Sequence, residues 1–278
     1  MKKPKQIIKE AVSKYKPISA LLMFSGGHDS LTSSVVAAKI LIELGISFKA
    51  YHGDTQTGIK ETQDFVKMIC ASMGWDLVIR SPEPPYDYES YVMQYGFPGP
   101  AKHPEMMRNL KLKPLRKYIT HEVKSKPYAR ENVLLISGAR AEESVIRLGY
   151  QETTTKDDSR VWCSPIYYWS KDQCEDFMKA NKLPRNPVKD RMCISGECLY
   201  GCFAKKEEPA ELKSLYPEAW ERLDRLSSYS PWKWGQNPSE YKKHNPEGQY
   251  DLFTGEVAYM PMCRSCEVKR VSPQPDQS

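Results

Sequence analysis

The stretch Ala20-Leu21-Leu22-Met23-Phe24-Ser25-Gly26-Gly27-His28-Asp29-Ser30 decides the fold of this 278-residue chain. An apolar strand pattern runs into two glycines and a serine, and a helical pattern starts near Leu31. The glycines let the backbone turn sharply, so that successive N–H groups converge at the positive end of the helix. This arrangement predicts a phosphate site. The alternative is an ordinary strand-to-helix turn in which the glycines serve only geometry.

The spacing of this loop excludes two familiar phosphate motifs. It fits neither the eight-residue Walker loop nor the Gly-x-Gly-x-x-Gly dinucleotide fingerprint. The loop alone therefore indicates an anion without naming it.

The composition predicts a globular protein with room for an enzyme core. The chain is 40% hydrophobic and 27% charged, and its apolar runs are far shorter than the roughly 20 residues that a membrane span needs. The lysine-rich start lacks the apolar core of a signal peptide, so we expect a cytoplasmic protein without a membrane partner. The net charge of +6 is compatible with nucleotide or nucleic-acid partners. Eight cysteines in such a chain favour metal or redox chemistry over structural disulfides.

Strand and helix patterns alternate along the chain. Strands are predicted at residues 20–24, 46–52, 75–80 and 133–137, and helices at 31–44, 59–73, 107–123 and 170–181. This order predicts an α/β fold with a mostly parallel sheet and helices on both faces. Ligands bind such sheets at the carboxyl ends of the strands. We expect a nucleotide-binding domain at 1–184 and a cysteine-rich, irregular or helical domain at 185–278.

Polar residues follow the second and fourth predicted strands. Asp54 can hold a nucleoside group or a metal ion, or it can simply close a turn. After the fourth strand, Gly138 precedes Arg140 and Arg147, whose forked donors suit phosphate or sulfate oxygens. The alternative is a solvated helix start in which Glu143 pairs with Arg147.

Three further cations, Arg108, Lys111 and Lys113, lie between these motifs. They can add positive charge to an anion site. A basic, solvated helix face is the more ordinary use for at least one of them.

Five motifs occur in one order along about two-thirds of the chain, residues 18–190. They are Ser25-Gly26-Gly27-x-Asp29-Ser30, Asp54-Thr55…Gly58…Glu61-Thr62, Leu110-Lys111…Pro114-Leu115, Gly138-x-Arg140-x-x-Glu143-Ser144-x-x-Arg147 and Pro165-Ile166…Trp169-Ser170. In this order they resemble the phosphoadenosine phosphosulfate (PAPS) reductase family of the PP-loop ATP pyrophosphatase superfamily. The resemblance implies a Rossmann-like adenine nucleotide α-hydrolase fold.

The resemblance also implies a ligand and a set of site residues. The ligand would be ATP with Mg²⁺, or else PAPS or adenylyl sulfate. Catalytic roles would fall to Ser25, Asp29, Arg140 and Arg147. Nucleotide-binding residues would be Ser25, Gly26, Gly27, His28, Asp29, Ser30, Asp54, Thr55, Lys111, Gly138, Arg140, Glu143 and Arg147.

The chain departs from the reductases of that family near its end. Those enzymes use a cysteine in a Glu-Cys-Gly-x-His segment, whereas Glu197-Cys198 is followed here by Leu199 and Tyr200. Adenylyl sulfate reductases with an iron–sulfur cluster carry a cysteine pair where this chain has Met106 and Met107. The chain is more similar to the branch that adenylates a substrate with ATP and passes sulfur to it, of which DNA phosphorothioation subunits are examples.

Five cysteines crowd the region from Arg185 onward, as Cys193-x4-Cys198-x3-Cys202 and Cys263-x2-Cys266. Four thiolates can hold a [4Fe–4S] cluster or a zinc ion, and the irregular spacing favours the cluster. If the last four are the ligands, Cys193 is free to carry a persulfide, but Cys193 can equally be a ligand. The remaining three lie in apolar patterns and are expected to be buried: Cys70, Cys163 and Cys174.

Three functions are consistent with this sequence. We favour an ATP pyrophosphatase that adenylates a substrate for sulfur transfer. The alternatives are a PAPS or adenylyl sulfate reductase with a relocated thiol, and a nucleotide-binding or cluster-sensing subunit without turnover. The partners that would follow are a sulfur donor such as a cysteine desulfurase, a thiol or electron-donor protein, a second copy of the chain in a homodimer, and a nucleic acid. For the last, the aromatic and basic stretch at 229–244 offers stacking groups, although Trp232 and Trp234 more simply pack a core.

Overall fold

The computed structural model of the chain describes residues 2–143, 152–194 and 196–240. Its strands are β1 (Ser19–Met23), β2 (Phe48–Gly53), β3 (Leu77–Arg80), β4 (Val133–Ile136), β5 (Thr154–Asp157) and β6 (Arg160–Cys163). Within the described residues they form one sheet in the order β3-β2-β1-β4-β6-β5. All neighbouring pairs are parallel except β5 and β6, which are antiparallel. The predicted mostly parallel, Rossmann-like α/β fold is confirmed.

The helices connect and cover these strands. In the described residues they are α1 (Pro4–Tyr15), α2 (His28–Glu43), α3 (Lys60–Met73), α4 (Tyr88–Tyr95), α5 (His103–Met106), α6 (Lys113–Tyr118), α7 (Lys171–Ala180), α8 (Pro187–Met192), α9 (Glu208–Leu215) and α10 (Pro217–Asp224). The four predicted helices are present. The one expected at 107–123 contains two π-helical turns, Met107–Leu112 and Ile119–Val123, on either side of α6. None of the helices described is long and apolar enough to cross a membrane.

The central strands form because both of their faces are covered. Alternate residues of β1 point to opposite faces: Leu22 packs in a cluster with α1, α2 and α7, and Leu21 packs with Leu115 and Tyr118 of α6. All four residues of β4 are at most 1% exposed. A strand covered on both sides needs a continuous apolar run, which explains why β1 and β4 were predictable.

The described part of the cysteine-rich region packs against the first 184 residues. One cluster of buried side chains combines Ile59, Tyr91 and Leu110 with Leu199 and Trp234. The expected boundary between 184 and 185 therefore stays a prediction, because this core is shared and residues 241–278 are outside the description. The region also contains α8, α9 and α10, so its described part is partly helical.

Trp232 and Trp234 of this region pack in or against a core, as preferred from the sequence. The Trp234 indole N–H donates to the Leu199 carbonyl at 2.9 Å, and that of Trp232 donates to the Phe97 carbonyl at 2.8 Å. Both rings pack in or against the shared cluster. The three cysteines expected to be buried are buried: Cys70, Cys163 and Cys174.

Replacing a central core residue should destabilise the chain strongly. Leu134 of β4 is fully buried, and Leu134→Ala removes its contacts and leaves a cavity, at a cost of about 2–5 kcal/mol. Urea unfolding measures this loss as a lower midpoint. Ile42→Ala is the control, because Ile42 is 68% exposed and its loss should change stability by no more than about 0.5 kcal/mol. Equal midpoints for the two variants would contradict the position of β4 at the centre.

Candidate functional site

The strand order reverses direction at β1. The chain leaves β1 for β2 and β3 on one side of it, and then returns to β4 on the other side. At such a point the loops after the two neighbouring strands separate in opposite directions and leave a crevice, where ligands of open α/β sheets bind. Here those loops are residues 24–27, which lead into α2, and residues 137–143.

The loop after β4 packs closely against the first turns of α2. The Ser33 hydroxyl of α2 donates to the Ser137 carbonyl at 2.7 Å. A Cβ atom on Gly138 would lie 2.7 Å from the Ser30 backbone nitrogen and 2.8 Å from the Asp29 carbonyl carbon. These neighbours are backbone atoms that cannot move aside alone, so only glycine allows this approach.

The loop after β1 has the geometry expected of an anion site. Gly26 has φ +83°, which favours glycine, and a Cβ there would lie 2.7 Å from Cγ2 of Thr62. The Ser30 hydroxyl donates to the Gly27 carbonyl at 2.8 Å and lies 3.2 Å from the hydroxyl of Ser25. Among the described side chains none caps the start of α2. The N–H groups of its first turn therefore point into the crevice at the start of the helix. An anion is favoured there, because this is the positive end of the helix.

Arg140 links the loop after β4 to α2. Its guanidinium Nε donates to Asp29 Oδ1 at 3.1 Å, and Nη1 donates to Glu142 Oε2 at 3.1 Å. Only 7% of Arg140 is exposed, so its guanidinium charge is fixed in position beside the loop after β1. The structure thus brings together the predicted site residues Asp29, Gly138 and Arg140. Arg147 lies outside the described residues, and of Glu143 only the backbone is described, in the turn Ala141–Glu143.

Asp54 closes the turn after β2. Its Oδ1 accepts from the Gln56 backbone N–H at 2.8 Å, and its Oδ2 accepts from the Ser81 hydroxyl at 3.0 Å. This is the turn role that the sequence offered as the alternative. A nucleoside contact by the half-buried Asp54 stays a prediction.

Lys111 lies in the π-helical turn Met107–Leu112, and its charge acts on His52 at the end of β2. There it weakly opposes protonation of a histidine whose pKa is raised by other groups. The structure therefore places this predicted cation near the carboxyl edge of the sheet. Single π-helical turns within α-helices are frequent at functional sites.

His52 and Glu197 form a buried ion pair that sequence reasoning missed. His52 Nδ1 lies 2.9 Å from the Phe24 carbonyl oxygen, and Nε2 lies 3.1 Å from Glu197 Oε2. Both ring nitrogens thus face acceptors, which suits the imidazolium, since it has two N–H donors. Burial opposes the charged form, but the Glu197 carboxylate and the Phe24 carbonyl outweigh it and raise the pKa of His52. The signal in the sequence was a histidine at a strand end, which alone does not reveal its partner 145 positions away.

Asn186 is a second residue that the sequence reasoning missed. It is fully buried, and its side-chain amide donates to the Gly26 carbonyl at 2.9 Å. Its Oδ1 also accepts from the Val188 N–H and so caps α8. Asparagine directly before the proline that opens a helix is a readable cap signal, although nothing in it indicates the contact with Gly26.

His28 is held at the start of α2 by the same segment. Its Nε2 accepts from the Asn186 backbone N–H at 3.3 Å, and Arg185 lies 3.4 Å from its Nδ1. Burial, assisted by the Arg185 charge, lowers the pKa of His28, so its neutral form is favoured. This neutral ring can accept the Asn186 hydrogen bond, which the imidazolium could not.

The three described cysteines of the cysteine-rich region differ in environment. Cys193 is exposed at the end of α8 with φ 58°, Cys198 is half-buried, and Cys202 is buried. Across the described residues no three His, Cys, Asp or Glu side chains come together as a metal-binding group. Cys263 and Cys266 lie outside those residues, so the predicted five-cysteine set stays a prediction.

The fold and these two loops define a class of α/β protein. In this class a glycine-rich loop of the kind that binds phosphate lies where the strand order of the sheet reverses. Comparison with protein families matches residues 19–203 to the phosphoadenosine phosphosulfate reductase domain. The match covers about two-thirds of the chain, and the chain belongs to this family, as its motifs predicted.

Individual relatives are more distant. An uncharacterised protein of Methanocaldococcus jannaschii is 27% identical over 257 residues, which are 87% of this chain and 58% of the relative. The chain spans about half the length of the two curated relatives it matches.

Solved structures show weaker likeness. A phosphate complex of PAPS reductase from Candida auris has 15% identity and a TM-score of 0.48, over 68% of this chain and 84% of that one. The U34-tRNA thiolase NcsA from Methanococcus maripaludis, with its [4Fe-4S] cluster, has 14% identity and a TM-score of 0.41, over 95% of this chain and 86% of that one.

The His52–Glu197 pair predicts a specific pH dependence of stability. Because the pKa of His52 is raised in the folded chain, its stabilising effect is complete below the ordinary value of 6.5 and is lost as the pH rises through the raised pKa. The free energy of unfolding, measured by urea titration across this range, should therefore fall with rising pH in the native chain. In His52→Gln this part of the slope should disappear. An unchanged slope in the variant would show that His52 is not charged in the folded chain.

Proposed function

We propose that the chain binds ATP in the crevice between the loops after β1 and β4 and adenylates an acceptor, which is then substituted by sulfur. One observation carries the proposal: the loop after β4 brings Gly138 against the first turn of α2 and Arg140 against Asp29, at the switch point of the sheet. This combines a helix start, a glycine-rich turn and a fixed cation in one place. Each of these favours a phosphate group.

The residues at the crevice suit a nucleotide with Mg²⁺. Mg²⁺ is usually held by one or two carboxylates together with phosphate oxygens, and it keeps several waters. Asp29 and Glu142 are the carboxylates beside the loop, and both contact Arg140. They would hold the ion, which would neutralise phosphate charge.

The reaction we propose is substitution at the α-phosphorus of ATP. An oxygen of the acceptor attacks this phosphorus, the bond to the bridging oxygen of the β-phosphate breaks, and pyrophosphate leaves. Negative charge then grows on the pyrophosphate, so N–H donors of the loop after β1 and the guanidinium of Arg140 would stabilise it. In the adenylated acceptor, AMP is the leaving group that sulfur displaces.

Arg140 and Asp29 would have different roles in this step. Arg140 would face the phosphates with a charge that needs no rearrangement, because it is already held and almost fully buried. Asp29 would orient that guanidinium. Ser25 and Ser30, whose hydroxyls lie 3.2 Å apart, would contact the phosphate directly. Arg147 would lie at the anionic end of the nucleotide, as the family resemblance implies.

Reduction of PAPS or adenylyl sulfate is the second candidate, because the matched family carries that reaction in its name. The sequence lacks the Glu-Cys-Gly-x-His segment of such reductases. The two candidates differ in the product: pyrophosphate from ATP, or sulfite from a sulfonucleotide with a thiol reductant. A sulfur donor, an electron donor, a nucleic acid and a second copy of the chain stay predicted partners.

Pyrophosphate release from ATP tests the proposal. With Mg²⁺ and a set of acceptors that includes transfer RNA and DNA, the native chain should release one pyrophosphate for each adenylated acceptor formed, and AMP should follow when a source of sulfide is added. Arg140→Lys should lower the rate by about 100-fold, the loss typical of removing one preorganised donor, because lysine cannot reproduce the forked contact with Asp29.

The matched control for this variant is Arg160→Lys. Arg160 is 5% exposed and pairs with Asp157 at 2.7 Å, but it lies at the amino end of β6, on the opposite edge of the sheet. Its replacement should leave the rate unchanged in molecules that remain folded. Sulfite release from PAPS without pyrophosphate release from ATP would instead support the reductase.

We also propose that the cysteine-rich region binds a [4Fe–4S] cluster, with zinc as the alternative. The support is the set of five thiols at irregular spacing, Cys193, Cys198, Cys202, Cys263 and Cys266. Three of them are described, and they do not form a site by themselves. If the other four cysteines are the ligands of the cluster, Cys193 would be the persulfide carrier, since it is the exposed one of the three described.

Metal analysis of protein purified without oxygen tests this proposal. About four iron and four sulfide ions per chain, with a broad absorption band, would support the cluster. Cys198→Ser should lower the iron content, whereas Cys174→Ser, at a buried cysteine of α7, should not. A colourless protein with one zinc ion per chain would refute the cluster.

A further inference from the structure

The segment 196–199 is bound along the loop that follows β2. The Ile59 N–H donates to the Gly196 carbonyl at 2.7 Å, and the Leu199 N–H donates to the Thr57 hydroxyl at 3.1 Å. Between these contacts, Thr55 donates its backbone N–H to Glu197 Oε1 at 2.8 Å. Cys198 therefore lies between two residues that are fixed to the edge of the sheet.

Glu197 connects this segment to the core of the sheet. Its second carboxylate oxygen lies 3.1 Å from Nε2 of His52, and both side chains are almost completely buried. On the other side of the ring, Nδ1 lies 2.9 Å from the carbonyl of Phe24. Phe24 is the residue before Ser25, with which the phosphate-type loop begins. A path of two contacts, Phe24–His52 and His52–Glu197, thus connects that loop to the residue that precedes Cys198.

The path is rigid at both ends. Gly58 lies so close to the segment that a Cβ there would be 3.0 Å from Glu197 Oε2, and Gly196, with φ +76°, would place a Cβ 2.6 Å from the Thr62 hydroxyl. The same Thr62 would meet a Cβ on Gly26 at 2.7 Å. A displacement of the loop after β1 is therefore transmitted to the cysteine segment by close packing as well as by the ion pair.

We infer that Glu197 and His52 are positioning residues that couple the cysteine-bearing segment 196–202 to the nucleotide loop, so that occupation of the loop orders the segment. This inference rests on the proposed function, because it takes the loop at 25–30 as the site of a nucleotide. The Glu197 carboxylate fixes one register between the two segments, because it contacts both the Thr55 N–H and the His52 ring where all three groups are buried. Loss of either side chain would leave a buried polar group without its partner. The coupling must also act in the other direction. A ligand bound at Cys198 changes the nucleotide affinity by the factor by which the nucleotide changes the affinity for that ligand.

Hydrogen exchange with mass spectrometry tests this coupling in the full chain, with ATP and Mg²⁺ as the probe. In the native protein, ATP should slow exchange at residues 25–31 and also at 52–59 and 196–202. Glu197→Gln keeps an acceptor for the Thr55 N–H but replaces the carboxylate that faces His52 Nε2. In this variant ATP should still protect 25–31, while its effect on 196–202 should fall by at least about fivefold, the lower range of coupling between sites.

Two further variants make the result specific. His52→Gln breaks the same pair from the other side and should give the same loss, so the test does not depend on the folding of one variant. Asp64→Asn removes the exposed Lys60–Asp64 pair of α3, near the same loop, and should behave as the native chain.

The outcomes separate this inference from the proposed function. Protection of 25–31 without protection of 196–202 in the native chain, or equal protection of 196–202 in native chain and Glu197→Gln, would overturn the coupling and leave the nucleotide site intact. An ATP effect on none of these peptides would remove the nucleotide site, and the coupling with it.

Discussion

The contact of Gly138 with the backbone of Asp29 and Ser30 is the constraint on which the site depends. It holds the loops after β1 and β4 together at the place where the strand order reverses. Without it, Arg140 would not reach Asp29, and the start of α2 would face solvent instead of a crevice lined by a second loop. The order of the strands therefore creates the site. Gly138 allows the loop after β4 to come close to the start of α2.

The cysteine-rich region is joined to this site through charge and hydrogen bonds. Asn186 holds the carbonyl of Gly26, and Glu197 holds His52 and Thr55, so two separate residues of the region reach the loops after β1 and β2. A shared apolar core supports both contacts. These contacts hold the described cysteines in a fixed position relative to the loops after β1 and β2.

The parts of the fold that follow from local pattern could be predicted, and the long-range pairings could not. The apolar runs of β1 and β4 and the glycines at 26, 27 and 138 indicated the sheet and its binding edge, because burial on both faces and sharp turns leave a clear pattern. Two strands were missed. The edge strand β5, Thr-Thr-Lys-Asp, has no apolar alternation, and β6, Arg-Val-Trp-Cys, has only four residues. His52 and Glu197 were missed because only the folded chain brings them together.

The proposed function requires that the phosphate groups of ATP bind between the loops after β1 and β4. A crystal structure of the chain with a non-hydrolysable ATP analogue and Mg²⁺ tests it most directly. We predict electron density for the phosphates at the first turn of α2, between residues 25–30 and 137–140, with the guanidinium of Arg140 beside them. Ordered phosphates at any other place, with this crevice holding only water, would contradict it.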